Sequence, residues 1–255
     1  ITNHHTPSNL NTTHWSDFYL SLIHSGHNIS IADLNYDSLQ FRVRQDSNKR
    51  LPYDLQLKNG FERIPSKDGF SRFDGSNFQT AENILMHLHG SIYFYQNALG
   101  LHFTPNTKDA MKYRKRFAPT FPQRSQTGSG LHSQFMITGF NKAEAVSQSV
   151  FAPYYIRLVQ EIDRADLVIL IGYGGGDTHI NMLLSQEQYR RKKYVIVSFA
   201  DHHRGTFNIY LSRPSWKYLY KMVPTSLFDQ NARMHDYFVS QNNAAFTFKG
   251  VEYFL

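Results

Sequence analysis

Leu167-Val168-Ile169-Leu170-Ile171-Gly172-Tyr173-Gly174-Gly175-Gly176-Asp177-Thr178-His179-Ile180-Asn181 joins an apolar run of strand length to four glycines within five residues. An unbroken Leu-Val-Ile run is the pattern of a parallel strand covered on both faces. Glycines at its carboxyl end let the backbone turn sharply and come close to a ligand. In open α/β sheets nucleotides bind at that end of the strands. This stretch therefore predicts a nucleotide pocket beside Gly172–Asp177, followed by a helix over Ile180–Arg191.

Working outward, the chain alternates strand-like and helix-like segments. Trp15–Ile23 reads as a short helix with Asn11, Thr12 and Thr13 as cap residues. Ile29–Leu34 reads as a strand running into Asn35-Tyr36-Asp37. Ile84–Phe94 contains a strand interrupted or ended by His89-Gly90-Ser91, and Met136–Thr138 a shorter one. Pro153–Ala165 has apolar residues at helical spacing. Tyr194–Phe199 reads as another buried strand, and a closing strand falls at Ala245–Phe248 or Val251–Phe254. Residues 45–80 and 105–133 are polar and rich in turn formers. They are expected to be long insertions with little regular structure. The expectation is one α/β domain over residues 1–255, with a core at 28–200. Its architecture is a Rossmann-like doubly wound parallel sheet with helices on both faces and long polar insertions.

Bulk properties narrow the function classes. The 255 residues carry a formal charge of +7, and 15% are aromatic. The basic balance suits attraction to phosphates. Lys112–Arg116 and Arg190–Lys193 hold much of the charge, but no nucleic-acid motif accompanies them, so direct nucleic-acid binding is the less favoured reading. Aromatic-rich surfaces suggest self-association or a protein partner. With 0 Cys, disulfides, cysteine-ligated zinc and cysteine nucleophiles are excluded, which suits a cytoplasmic protein. No run of about 18 apolar residues suggests a membrane span. His87 and His89 alternate along the strand pattern, as metal ligands on one face would. No third ligand follows by spacing, so no metal site is expected.

Three segments, in order, resemble the sirtuin-like NAD-binding domains, specifically the zinc-free group found in bacterial antiviral defence proteins. Asp33-Leu34-Asn35-Tyr36-Asp37-Ser38-Leu39 is similar to the sirtuin Thr-Gln-Asn-Ile-Asp-x-Leu segment and closer still to the bacterial Leu-Asn-Tyr-Asp form. Leu88-His89-Gly90-Ser91 resembles the segment that carries the sirtuin catalytic histidine. Ile171–Asn181 is similar to the bacterial Ile-Gly-Tyr-Ser-Phe-x-Asp-x-His-Ile-Asn segment. The chain departs from the family in two respects. Residues 1–30 hold no glycine-rich Gly-Ala-Gly-type loop, so either that loop lies upstream of Ile1 or part of the diphosphate site is lost. The four cysteines that hold zinc in protein-deacylating sirtuins are also missing, which favours NAD cleavage over deacylation.

The resemblance implies a hydrolase that cleaves NAD to nicotinamide and ADP-ribose, acting in abortive infection by NAD depletion. NAD is then the substrate, and no zinc is required. The partners expected are NAD and either further copies of the chain or a defence-system protein. Nicotinamide leaves NAD as a neutral amide through an oxocarbenium-like state. Asn35 offers a neutral amide to orient the ribose or the attacking water. Asp37 can hold the nicotinamide carboxamide or stabilise developing positive charge. His89 is the candidate general base. These three form the expected catalytic set. Tyr36, Gly90, Ser91, Gly172, Tyr173, Gly174, Gly176, Asp177, His179 and Asn181 are expected around the cofactor. Backbone amides at Gly172–Gly176 would meet the diphosphate or the adenosine side. Asp177 suits either a ribose hydroxyl or the cap of the next helix, and His179 and Asn181 suit support of the loop. The alternative is a non-catalytic module that senses NAD or a derived nucleotide, or serves assembly; a protein deacylase ranks below it.

Overall fold

In the computed structural model, the described residues are 12–36, 38–63, 71–97, 100–104, 151–173, 177–190, 192–197, 238–239 and 244–247. The chain divides into two compact units, Ile1–Leu158 and Val159–Leu255. Asp37, Gly174, Gly176, the 105–133 segment and the expected strands at Met136–Thr138 and Val251–Phe254 lie outside the described residues.

In the first unit, helix α1 (Thr12–His24) precedes strand β1 (Ser30–Asp33), and helix α2 (Leu39–Asn48) follows it. α1 turns Tyr19, Leu20 and Ile23 inward at helical spacing, where they meet Ile29, Val43, Leu51 and Leu57. β1 pairs in parallel with β4 (Ile84–His87), with Ser30 opposite Ile84 and Asp33 opposite His87. Asn83 fixes this pairing from its buried position. Its Oδ1 accepts the Ile29 N–H at 2.9 Å, and its Nδ2 donates to the Leu55 carbonyl at 3.0 Å.

Residues 45–80 correct the expectation of little regular structure. They hold the end of α2, strands β2 (Phe61–Arg63) and β3 (Ser71–Phe73), and helix α3 (Gly75–Thr80). With β5 (Phe94–Asn97) and β6 (Gly100–Phe103) the two strands make an antiparallel sheet of order β2-β3-β6-β5. The physical reason is a few aromatic side chains spaced through a polar sequence. Phe61 lies opposite Phe73 with ring centroids 5.4 Å apart. Phe78 and Phe94 are buried almost completely. Each such ring contributes about 1.5–3 kcal/mol by leaving water, enough to outweigh the polar composition around it.

Helix α4 (Ala152–Arg164) confirms the expected amphipathic segment. Tyr154 on its buried side donates to the Asn59 carbonyl at 2.6 Å. Arg157 donates to the Gln79 and Ala81 carbonyls, which satisfies the carboxyl end of α3 with a cation.

In the second unit, β7 (Leu167–Ile171), β8 (Lys193–Val197) and β10 (Ala244–Thr247) are parallel. β9 (Phe238–Val239) adds antiparallel to β10, giving the order β7-β8-β10-β9. The strand read as covered on both faces is not. β7 is exposed at Leu167 and half-buried over Val168–Ile171, and among the described residues of its unit it stands at the end of the sheet order beside β8. The single helix expected over Ile180–Arg191 is two short ones, α5 (Thr178–Leu184) and α6 (Glu187–Arg190). The chain thus mixes helices and strands with parallel pairing in both units. No helix among the described residues is long and apolar enough to cross a membrane.

Candidate functional site

Parallel pairing makes the Asn35 and His89 segments leave the sheet at the same edge, since each follows the carboxyl end of its strand. The two loops are then joined by backbone. Leu88 N–H donates to the Asp33 carbonyl at 3.0 Å, and Ile92 N–H donates to the Tyr36 carbonyl at 3.2 Å. His89 Nδ1 lies 3.2 Å from the Leu34 carbonyl. A carbonyl only accepts, so a hydrogen bond here has Nδ1–H as its donor, and a neutral ring in that tautomer keeps its lone pair on Nε2. A general base needs that tautomer. The Tyr36 ring packs 6.2 Å from the His89 ring, at an interplanar angle of 32°. Asn35, Tyr36, His89, Gly90 and Ser91 therefore share one pair of loops.

Their environments differ. His89 is 1% exposed, whereas Asn35 is exposed. Gly90 reverses the chain at φ +83° and donates its N–H to the His87 carbonyl at 3.0 Å. That φ is the reason for glycine here. Ser91 Oγ accepts the Tyr93 N–H at 3.3 Å, a bond internal to the turn. Asn35 donates its backbone N–H to Asp33 Oδ1 at 3.0 Å, closing an Asx turn.

β4 ends at His87, and His89 lies in the turn beyond it, so the alternation that suggested two histidines on one strand face stops before His89. His87 faces a different neighbour. Its Nδ1 lies 3.4 Å from Asp33 Oδ2, and both side chains are buried to within 2%. Sequence reasoning gave Asp33 no role and weighed His87 only as a metal ligand. The signal was present: each is the polar last residue of an apolar strand, and each stands two positions before a candidate catalytic residue.

In the second unit, Gly172 adopts φ +62° and extends the ladder by donating its N–H to the Val197 carbonyl at 2.8 Å. A Cβ added at Gly172 would meet nothing within 4 Å, so conformation and not crowding calls for glycine there. The Tyr173 hydroxyl lies 2.8 Å from Asn181 Oδ1 and 3.1 Å from the Asp177 carbonyl. Burial pushes this phenol well above its ordinary pKa, the Asp177 charge adds to the shift, and the bond to the Asp177 backbone opposes it. Asp177 occupies the N-cap position of α5, but its carboxylate makes no capping bond. His179 and Asn181 are buried in the first turn of that helix. The Tyr173 hydroxyl is thus bonded to the Asp177 carbonyl and to Asn181 of α5 within this unit.

No protein-family model matches the chain and a search of curated proteins finds no match, so the reading of its chemistry rests on these residues.

Proposed function

We propose that the chain is a sirtuin-like NAD glycohydrolase on a Rossmann-like doubly wound fold. The observation that carries the reading is the loop pair at the carboxyl ends of β1 and β4. There the Leu34 carbonyl lies 3.2 Å from His89 Nδ1 while Asn35 stands on the same loop as that carbonyl.

The reaction breaks the bond between the nicotinamide nitrogen and the anomeric carbon. Nicotinamide departs with the bonding electron pair as a neutral amide, and positive charge develops on the ribose. Asn35 orients the attacking water or a ribose hydroxyl through its amide. His89 Nε2 takes the proton that the water loses, giving ADP-ribose, nicotinamide and one proton per turnover. The burial of His89 shields the charged intermediate from bulk water. It also requires that cofactor entry uncover the ring. That requirement fits an activity held off until oligomerisation or a partner arrives, as a cytoplasmic effector that depletes NAD in antiviral defence would need.

The same burial favours the second reading, a domain that binds NAD or a derived nucleotide without turning it over. Nicotinamide release from NAD decides between them. The hydrolase reading expects release by the wild type and a fall of about 10²–10⁴-fold in His89→Ala and Asn35→Ala at matched folding and assembly. Saturable NAD binding with no release by the wild type selects the sensing module instead.

A further inference from the structure

The last rung of the β1–β4 ladder pairs Asp33 with His87. Both side chains are buried, with Asp33 4% and His87 1% exposed as residues. Asp33 Oδ2 and both ring nitrogens of His87 have no hydrogen-bond partner among the described residues, and the approach between the two side chains is 3.4 Å. The edge of the Phe94 ring stands against the imidazole, with centroids 5.4 Å apart at 89°. Burying an ionisable pair this way carries a desolvation cost that two apolar side chains of similar volume would avoid. The rung is therefore a poor device for stability alone.

What the rung touches suggests its use. The other carboxylate oxygen, Asp33 Oδ1, accepts the backbone N–H of Asn35. The backbone of the same two residues holds the neighbouring turn, since the Asp33 carbonyl accepts from Leu88 and the His87 carbonyl accepts from Gly90. One end of the rung is thus bonded to the Asn35 loop and the other to the turn that carries His89. A carboxylate free to rotate would present Oδ1 to Asn35 only part of the time, whereas the polar edge of an imidazole 3.4 Å from Oδ2 limits that rotation.

We propose that Asp33 and His87 are a positioning pair: His87 holds the Asp33 carboxylate, and the carboxylate fixes the backbone of Asn35. The consequence for turnover rests on the hydrolase reading above, while the consequence for the Asn35 backbone does not. Misplacement of a reacting group by about 1 Å costs roughly 10²-fold in rate, so a defect here appears in kcat and leaves KM nearly unchanged.

The experiment follows hydrogen exchange at the Asn35 backbone amide, together with kcat and KM for nicotinamide release. It compares the wild type, His87→Phe, His87→Gln and Asp33→Asn. His87→Phe keeps a ring without a donor. His87→Gln restores a donor toward Asp33, and Asp33→Asn keeps an acceptor for Asn35. The expected result is faster exchange at Asn35 in His87→Phe by about tenfold, with Leu85 in β4 unchanged as a measure of local opening. kcat falls with it, and His87→Gln and Asp33→Asn recover most of both. If His87→Phe does not fold, Asp33→Ala removes the acceptor and gives the same readout. Asn35 exchange and kcat that stay at wild-type values in the folded variant overturn the pair, as does a loss that His87→Gln fails to recover. A wild type that releases no nicotinamide, yet shows the expected exchange pattern, overturns the hydrolase reading and leaves the pair standing.

Discussion

Ile84-Leu85-Met86-His87 is buried along its whole length, whereas Leu167-Val168-Ile169-Leu170-Ile171 is 46% exposed at Leu167 and half-buried thereafter. Both strands end in a turn with a positive-φ glycine, Gly90 after the first and Gly172 after the second. By composition the second is the more apolar. The difference comes from neighbours. β4 pairs with β1 and is bridged at Ile84 by Lys58, while among the described residues of its own unit β7 pairs with β8 alone. The turns differ in the same sense. The turn after β4 is bonded to the adjacent loop through backbone groups, at Leu88 and Ile92. Among the described residues after β7, Gly172 bonds Val197 through its backbone and Tyr173 bonds α5 through its side chain. A backbone-set loop survives most substitutions, and a loop held by a side chain can be loosened by one.

Core truncation gives the largest expected separation. Met86→Ala should cost about 2–5 kcal/mol, because Met86 is 1% exposed and leaves a cavity. Ile169→Ala should cost about half as much, since a half-buried side chain gives up less apolar area. Urea unfolding of the two variants checks this, and equal losses would break the contrast between the strands.

Next in size are the glycines. Gly90→Ala forces a side chain onto φ +83° in a buried turn and should cost about 1–3 kcal/mol. Gly172→Asn, at φ +62° with open space for a Cβ, should cost less than about 1 kcal/mol, because Asn visits that region readily. A Gly172→Asn loss as large as that of Gly90→Ala would mean that the β7 turn is as tightly determined as the β4 turn.

The smallest effect sharpens the comparison of the two turns. Tyr173→Phe should destabilise the protein by about 1 kcal/mol at neutral pH. It should raise amide exchange in the first turn of α5 and leave exchange around Ile92 unchanged. The variant should also lose less stability in alkali. Burial raises the folded-state pKa of Tyr173 above the ordinary value of 10.0, so the folded state holds this proton more tightly than the unfolded chain does. The stability it contributes is fully present below about pH 10 and is lost as pH rises from there through the folded-state value. Thermal melts across that range, with tyrosinate absorbance as a marker, show whether the decline is shallower in Tyr173→Phe.

The strands and helices with a clear period were legible from the sequence. α1, β1, α4, β7 and β8 lie close to their expected positions, because apolar spacing encodes the burial of a face directly. So was the gathering of Asn35, Tyr36, His89, Gly90 and Ser91, since parallel strands put equivalent loop ends on one edge. The antiparallel sheet of residues 61–103 was hidden in its first half, because a few phenylalanines in a polar segment leave no period to read. α5 and α6 were merged because the break at Ser185-Gln186 carries no glycine or proline to mark it.

By itself, the sequence determined which elements the Asn35, His89 and Gly172 segments follow, because that comes from residue type and local spacing. Tertiary structure decided the rest. It buried the less apolar of the two strands, and it placed the Leu34 carbonyl against His89 Nδ1. It also brought Asp33 against His87 across a ladder that joins residues far apart in the chain. Burial and hydrogen-bond partners are properties of what lies alongside a residue, and strand pairing brings those neighbours from distant parts of the sequence.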